Sequence, residues 1–151
     1  MSKLHDYPVT VQWKGGRDGS GTVTADRSGV SSALAVPPEF GGQGAGTNPE
    51  ELLCQAVAAC YTITFGIIAA NRKLVVVSIE TKADGEVEEA GAQFTYKKVT
   101  LRPTITLAAG ATDEHVAMAG DMAHKADAYC IITNAVRGKV EIVVEPKIIL
   151  A

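Results

Sequence analysis

Apolar and polar positions alternate near the start of the chain. Val9, Val11 and Trp13 stand against Thr10 and Gln12, the period-two pattern of a half-buried strand over Tyr7 to Trp13. The glycine-rich stretch Lys14 to Gly21 interrupts it, and Thr22 to Thr24 resume a strand toward Asp26. Ser28-Gly29 turns the chain again, and Ser31 to Val36 reads as a third short strand ended by Pro37-Pro38. Glu39 to Thr47 is rich in glycine but lacks the spacing and the Gly-Lys-Ser/Thr ending of a phosphate-binding loop, so it reads as a linker.

The pattern then changes. Asn48 is a good N-cap, Pro49 suits the first helical position, and Glu50 and Glu51 complement the positive end of a helix. From Leu52 to Ala70 no residue is charged, and the apolar side chains surround the axis, which predicts a helix to about Asn71 buried on every side. Such a run is long enough to cross a bilayer. Gln55, Thr62 and Thr64, the many small residues and the absence of a flanking Lys/Arg cluster favour a central helix of a packed domain, with no membrane partner. Its small residues suit close approach of another backbone, for example the same helix of a second subunit.

Beyond it, Leu74 to Ile79 is a β-branched run, and Lys82 to Glu89 reads as a charged, turn-prone hairpin region. Phe94 to Leu107 alternates as a long strand, kinked or placed at a sheet edge by Pro103. Thr112 caps a second helix that runs with apolar residues at helical spacing to Tyr129, and Val140, Ile142 and Val144 form a last strand before Pro146. Strands, helix, strands, helix, strand is the order of an α+β domain. A chain of 151 residues fits one such domain.

A net charge of −3, with Lys and Arg scattered, argues against a nucleic-acid surface. The N-terminal segment lacks the apolar core of a secretory signal, so a cytoplasmic location is expected. In that reducing setting Cys54, Cys60 and Cys130 are either small core fillers or working thiols. Cys54 and Cys60, six residues apart on one helix, point about 120° apart and cannot bridge one another. Cys130 sits at an element boundary, from which it can reach Cys60. A thiol among Ala56, Val57, Ile63 and Thr64 would have a raised pKa, and a positive group nearby would be needed to ionise it. Arg17, in its glycine-rich loop, is the best cation for that task, although sequence alone favours a solvated loop arginine. The histidines show no ligand spacing with the cysteines, so no metal site is expected.

Three segments together resemble the OsmC/Ohr family, thiol peroxidases that act on organic hydroperoxides. They are Gly15-Gly16-Arg17-Asp18-Gly19; Gly46-Thr47-Asn48-Pro49-Glu50 running on to Ala58-Ala59-Cys60; and Cys130 followed by Asn134-Ala135 and Arg137-Gly138. The resemblance covers nearly the whole chain, and the Arg17 loop is more like the Ohr branch. It implies an OsmC-like fold, with antiparallel strands around a long central buried helix in an intertwined homodimer. It further implies Cys60 as the peroxidatic thiolate, Cys130 as the resolving thiol that forms a disulfide with it, and Arg17 with Glu50 as the activating pair. No bound cofactor is implied, but a small external dithiol of the lipoyl type is, as reductant. Ten helical residues separate Glu50 from Cys60 by about 15 Å, so a shared site would most simply take Glu50 from a neighbouring subunit.

Tyr61, Phe65 and Phe40 are expected to form an apolar wall that favours alkyl or lipid hydroperoxides over hydrogen peroxide. The expected role is that of an antioxidant stress-response enzyme; the rivals are a non-catalytic module for a small hydrophobic ligand and a thiol redox sensor without turnover. Two positions depart from the family pattern. Ile131 follows the resolving cysteine where the family usually has proline, and Cys54 stands where the Ohr branch tends to have an apolar residue.

Overall fold

The computed structural model describes residues 1–151 and divides the chain into two compact units, Met1–Leu52 and Leu53–Ala151. In the first unit, β1 (Val9–Lys14), β2 (Ser20–Ala25) and β3 (Val30–Leu34) form an antiparallel sheet in sequence order. The β1–β2 turn closes with Gly19 N–H donating to Gly16 O at 2.9 Å. A Cβ on Gly19 would lie 2.5 Å from the Lys14 carbonyl oxygen, so no other residue fits there without movement. The glycine-rich approach to the first helix is tied down at both ends. Pro38–Phe40 make a 3-10 turn ended by Gly41 at φ 83°, and Ala35 and Thr47 N–H groups bond Thr47 O and Ala33 O.

Helix α1 (Pro49–Asn71) starts as the sequence predicts: Asn48 Oδ1 accepts the Glu51 N–H at 2.8 Å. The boundary between the two units falls within this helix, between Leu52 and Leu53. It ends in a Schellman arrangement, with Leu74 N–H on Ala69 O, Lys73 N–H on Ala70 O, and Lys73 itself at φ 57°.

In the second unit, β4 (Val76–Ala90) and β5 (Gln93–Leu107) form a long antiparallel hairpin. Helix α2 (Asp113–Lys125), a 3-10 turn (Ala126–Tyr129) and the short helix α3 (Ile131–Val136) follow, then β6 (Glu141–Val144) and β7 (Lys147–Leu150), both parallel to β5. Val99, Leu101, Pro103, Ile105 and Leu107 alternate along β5 into the core. There they join Val57, Tyr61, Phe65 and Ala69 of α1 and Ala119, Met122 and Ala123 of α2.

Four expectations change. The α1 face at Val57, Tyr61, Phe65 and Ala69 is buried, but the opposite stripe is open, with Ile63 63% and Ile67 57% exposed; the helix is not covered on every side. Lys82 to Glu89 is strand rather than turn, because β5 pairs with it and supplies Lys98 to Glu86 and Lys97 to Glu88. Pro103 lies on the central strand, in the gap between the β5 residues paired with β6 (98–101) and those paired with β7 (104–107), so a missing N–H is tolerated without an edge. Helix α3 and strand β7 were not expected.

Candidate active site

Cys60 lies on α1 beside its buried stripe and is half-buried; Cys130 is wholly buried. Both thiols are free, and a hydrogen bond joins them. Several local bonds fix Cys130. It closes the 3-10 turn through its N–H on Asp127 O at 3.2 Å, and from φ −80°, ψ 118° it caps α3, its Sγ accepting the Thr133 N–H at 3.3 Å.

Asn134 and Arg137 brace the same turn. Asn134 Nδ2 donates to Ala128 O at 2.9 Å, while Arg137 reaches Asn134 Oδ1 at 3.1 Å and Asp127 O at 3.2 Å. Their spacing was visible in the sequence, but this role was not. Tyr61 adds a tie from α1 to α2, its hydroxyl donating to Ala123 O.

The two thiols are driven apart in acidity. Burial by itself raises Cys60, but hydrogen bonds from Cys130, the Ile132 N–H, Thr64 and the Ile131 N–H outweigh it and bring the thiol below its ordinary value. The Thr64 hydroxyl lies 3.9 Å from the sulfur. Cys130 moves up, through burial first and then through its bond to Cys60, against opposition from Thr133. Every group in this balance belongs to residues 53–151, and the donors are neutral. Cys54 stands apart: burial raises it, against a hydrogen bond with Tyr96, and nearby Asp84 raises it further.

The first unit holds the other expected residues. Arg17 Nη1 donates to Phe40 O, and its Cδ would lie 2.9 Å from a Cβ on Gly41, so glycine there leaves room for the guanidinium arm. Phe40 and Glu50 line a cavity of about 360 Å3 with Val11, Trp13, Leu34 and Pro49. The Glu50 Oε2 atom is buried. The structure thus brings Cys60 to Cys130, and groups Arg17, Phe40 and Glu50 within residues 1–52. Tyr61 and Phe65, expected as pocket wall, are 0% exposed and belong to the core.

Residues 42–145 match the family described as OsmC-like protein. The uncharacterised protein YmaD of Bacillus subtilis is 32% identical over 144 residues, 95% of each chain. Peroxiredoxin OsmC of Escherichia coli is 31% identical over 100 residues, 64% of this chain and 68% of its own. The crystal structure of an organic hydroperoxide resistance protein OsmC from Legionella pneumophila superposes with a TM-score of 0.75 at 26% identity, over 97% of this chain and 99% of that one. The chain belongs to the OsmC-like protein family.

Proposed function

We propose that this chain is a thiol peroxidase that reduces organic hydroperoxides to alcohols. The observation that carries the reading is the joined pair of free thiols, one held below and one above ordinary thiol acidity. Cys60 thiolate attacks the terminal peroxide oxygen; an S–O bond forms, the O–O bond breaks, and the alkoxide leaves and takes a proton. The Cys60 sulfenic acid condenses with the Cys130 thiol, releasing water and forming a disulfide. An external dithiol, of the lipoyl class, exchanges with that disulfide, restoring both thiols and becoming oxidised itself.

Arg17 and Glu50 are assigned to the same site, Arg17 to steady the negative charge on the departing oxygen. The apolar cavity with Phe40 and Trp13 suits the alkyl part of the substrate. A homodimer belongs to the proposal, since the open α1 stripe of Ala59, Ile63 and Ile67 is apolar and suits a second copy. So does a cytoplasmic setting, where dithiols keep the pair reduced.

The same apolar cavity favours a second reading, a non-catalytic binder of small hydrophobic ligands. Counting free thiols after one equivalent of cumene hydroperoxide separates the two. The peroxidase loses two thiols, Cys60→Ser loses none by this route, and tert-butyl or cumene hydroperoxide reacts faster than hydrogen peroxide in stopped flow. An unchanged thiol count supports the binder.

A further inference from the structure

Thr62 and Thr64 stand two residues apart on α1, and their hydroxyls go to different kinds of partner. Side chains on a helix lean toward its N-terminus, so a threonine there ordinarily turns its hydroxyl onto the carbonyl one turn back. Thr62 does so: its Oγ1 donates to Ala58 O at 2.7 Å and accepts from Thr81 Oγ1 on β4 at 2.6 Å. The hydroxyl of Thr64 instead meets the side chain one turn back, with Oγ1 3.9 Å from Cys60 Sγ, a hydrogen-bond distance for an atom as large as sulfur. Both residues are half-buried, so water does not simply replace the contact.

We propose that the hydroxyl of Thr64 is a further positioning group of the site, the donor on α1 itself that holds the Cys60 sulfur in its ionised form. A thiol and a hydroxyl can each donate to the other, but a thiolate has no proton to give. Ionisation of Cys60 therefore fixes the direction, with the Thr64 O–H donating and the sulfur accepting. The bond is then charge-assisted, and it favours the thiolate over the thiol. The acidity of Cys60 agrees in sign, since Thr64 is among the groups that lower it against burial. Within residues 53–151 the titratable side chain bearing on Cys60 is Cys130, from the junction before α3. The two neighbours differ in kind. In the proposed reaction Cys130 exchanges its hydrogen bond with Cys60 for a disulfide, whereas Thr64 rides on the same helix as the sulfur and keeps its place throughout.

The proposal rests on the reading of Cys60 as the attacking sulfur, yet its test needs no peroxide. Reduced wild type, Thr64→Val, Thr64→Ser and Thr62→Val are alkylated with iodoacetamide across pH, with the modified cysteine identified by mass spectrometry. Valine keeps the branched shape of threonine and removes the hydroxyl, while serine keeps the hydroxyl and removes the methyl. Thr62→Val breaks two bonds on the same helix without removing a partner of the sulfur.

Thr64→Val is expected to raise the Cys60 midpoint and leave roughly fivefold less thiolate below it, with Thr64→Ser and Thr62→Val following wild type. A Thr64→Val curve superimposable on wild type overturns the proposal. So does an equal shift in Thr64→Ser or in Thr62→Val, which would trace the effect to packing and not to the hydroxyl. A shift confined to Thr64→Val, in a protein that consumes no organic hydroperoxide, sinks the peroxidase reading alone. Hydroperoxide consumed by wild type, with all four alkylation curves superimposed, sinks the role of Thr64 alone.

Discussion

The two units bury their apolar residues very differently. Residues 53–151 bury one face of α1 and the inward face of β5 in a continuous core. In residues 1–52 every residue of β1 is exposed, including Val9, Val11 and Trp13, and the buried positions reduce to Ala35, Pro37 and Asn48. The first unit therefore presents apolar surface that one copy of the chain leaves open, while the second is a packed scaffold. The residues of the proposed site divide along the same line. The thiols sit on the scaffold, held by short-range bonds, and the guanidinium and carboxylate sit on the thin sheet unit.

The contrast can be broken most severely at the core. Phe65→Ala is expected to cost about 3–5 kcal/mol in urea unfolding of the reduced protein. Val9→Thr, on the exposed face of β1, should stay within about 0.5 kcal/mol in dilute solution. A larger loss at Val9 than at Phe65 would reverse the assignment of core and open surface.

Arg17→Ala probes the other unit's share of the chemistry. Under the proposed function it slows Cys60 oxidation by roughly tenfold to a hundredfold in stopped flow, through the lost charge on the departing oxygen. An unchanged rate would mean that the loop takes no part.

The smallest effect is that of pH. Cys60 is lowered in the folded state, so its contribution to stability is present above the ordinary thiol value and is lost as pH falls through its folded midpoint. Cys130 and Cys54 are raised, so theirs is present below the ordinary value and is lost as pH rises through their folded midpoints. Stability of the reduced protein should therefore peak near the ordinary thiol value, as read by urea midpoints across pH. Peroxide reduction should level off at lower pH than an ordinary thiol would allow.

Much of this was legible in the residues. Asn48-Pro49-Glu50 marked the start of α1, Thr112 marked that of α2, and period-two alternation marked β1 and β5. The charged segment 82–89 misled because its strand state depends on cross-strand partners five to twenty residues away. The β-branched run Ile131-Ile132-Thr133 gave no helical signal, since its first turn is organised by the Cys130 sulfur acting as cap. Composition made α1 apolar all round but could not say which face its own chain covers. Cys60 and Cys130 could be paired from the sequence, whereas the directions of their acidity shifts depend on burial and on mutual hydrogen bonding that only the folded chain sets.

The central claim is that Cys60 is the ionised sulfur and Cys130 the one that answers it. Peptide mapping of the reduced protein after stoichiometric cumene hydroperoxide tests it most directly. The account predicts a Cys60–Cys130 linked peptide, absent in Cys60→Ser, with Cys54 still free. Oxidation that falls on Cys54, or leaves Cys60 and Cys130 as thiols, would contradict it.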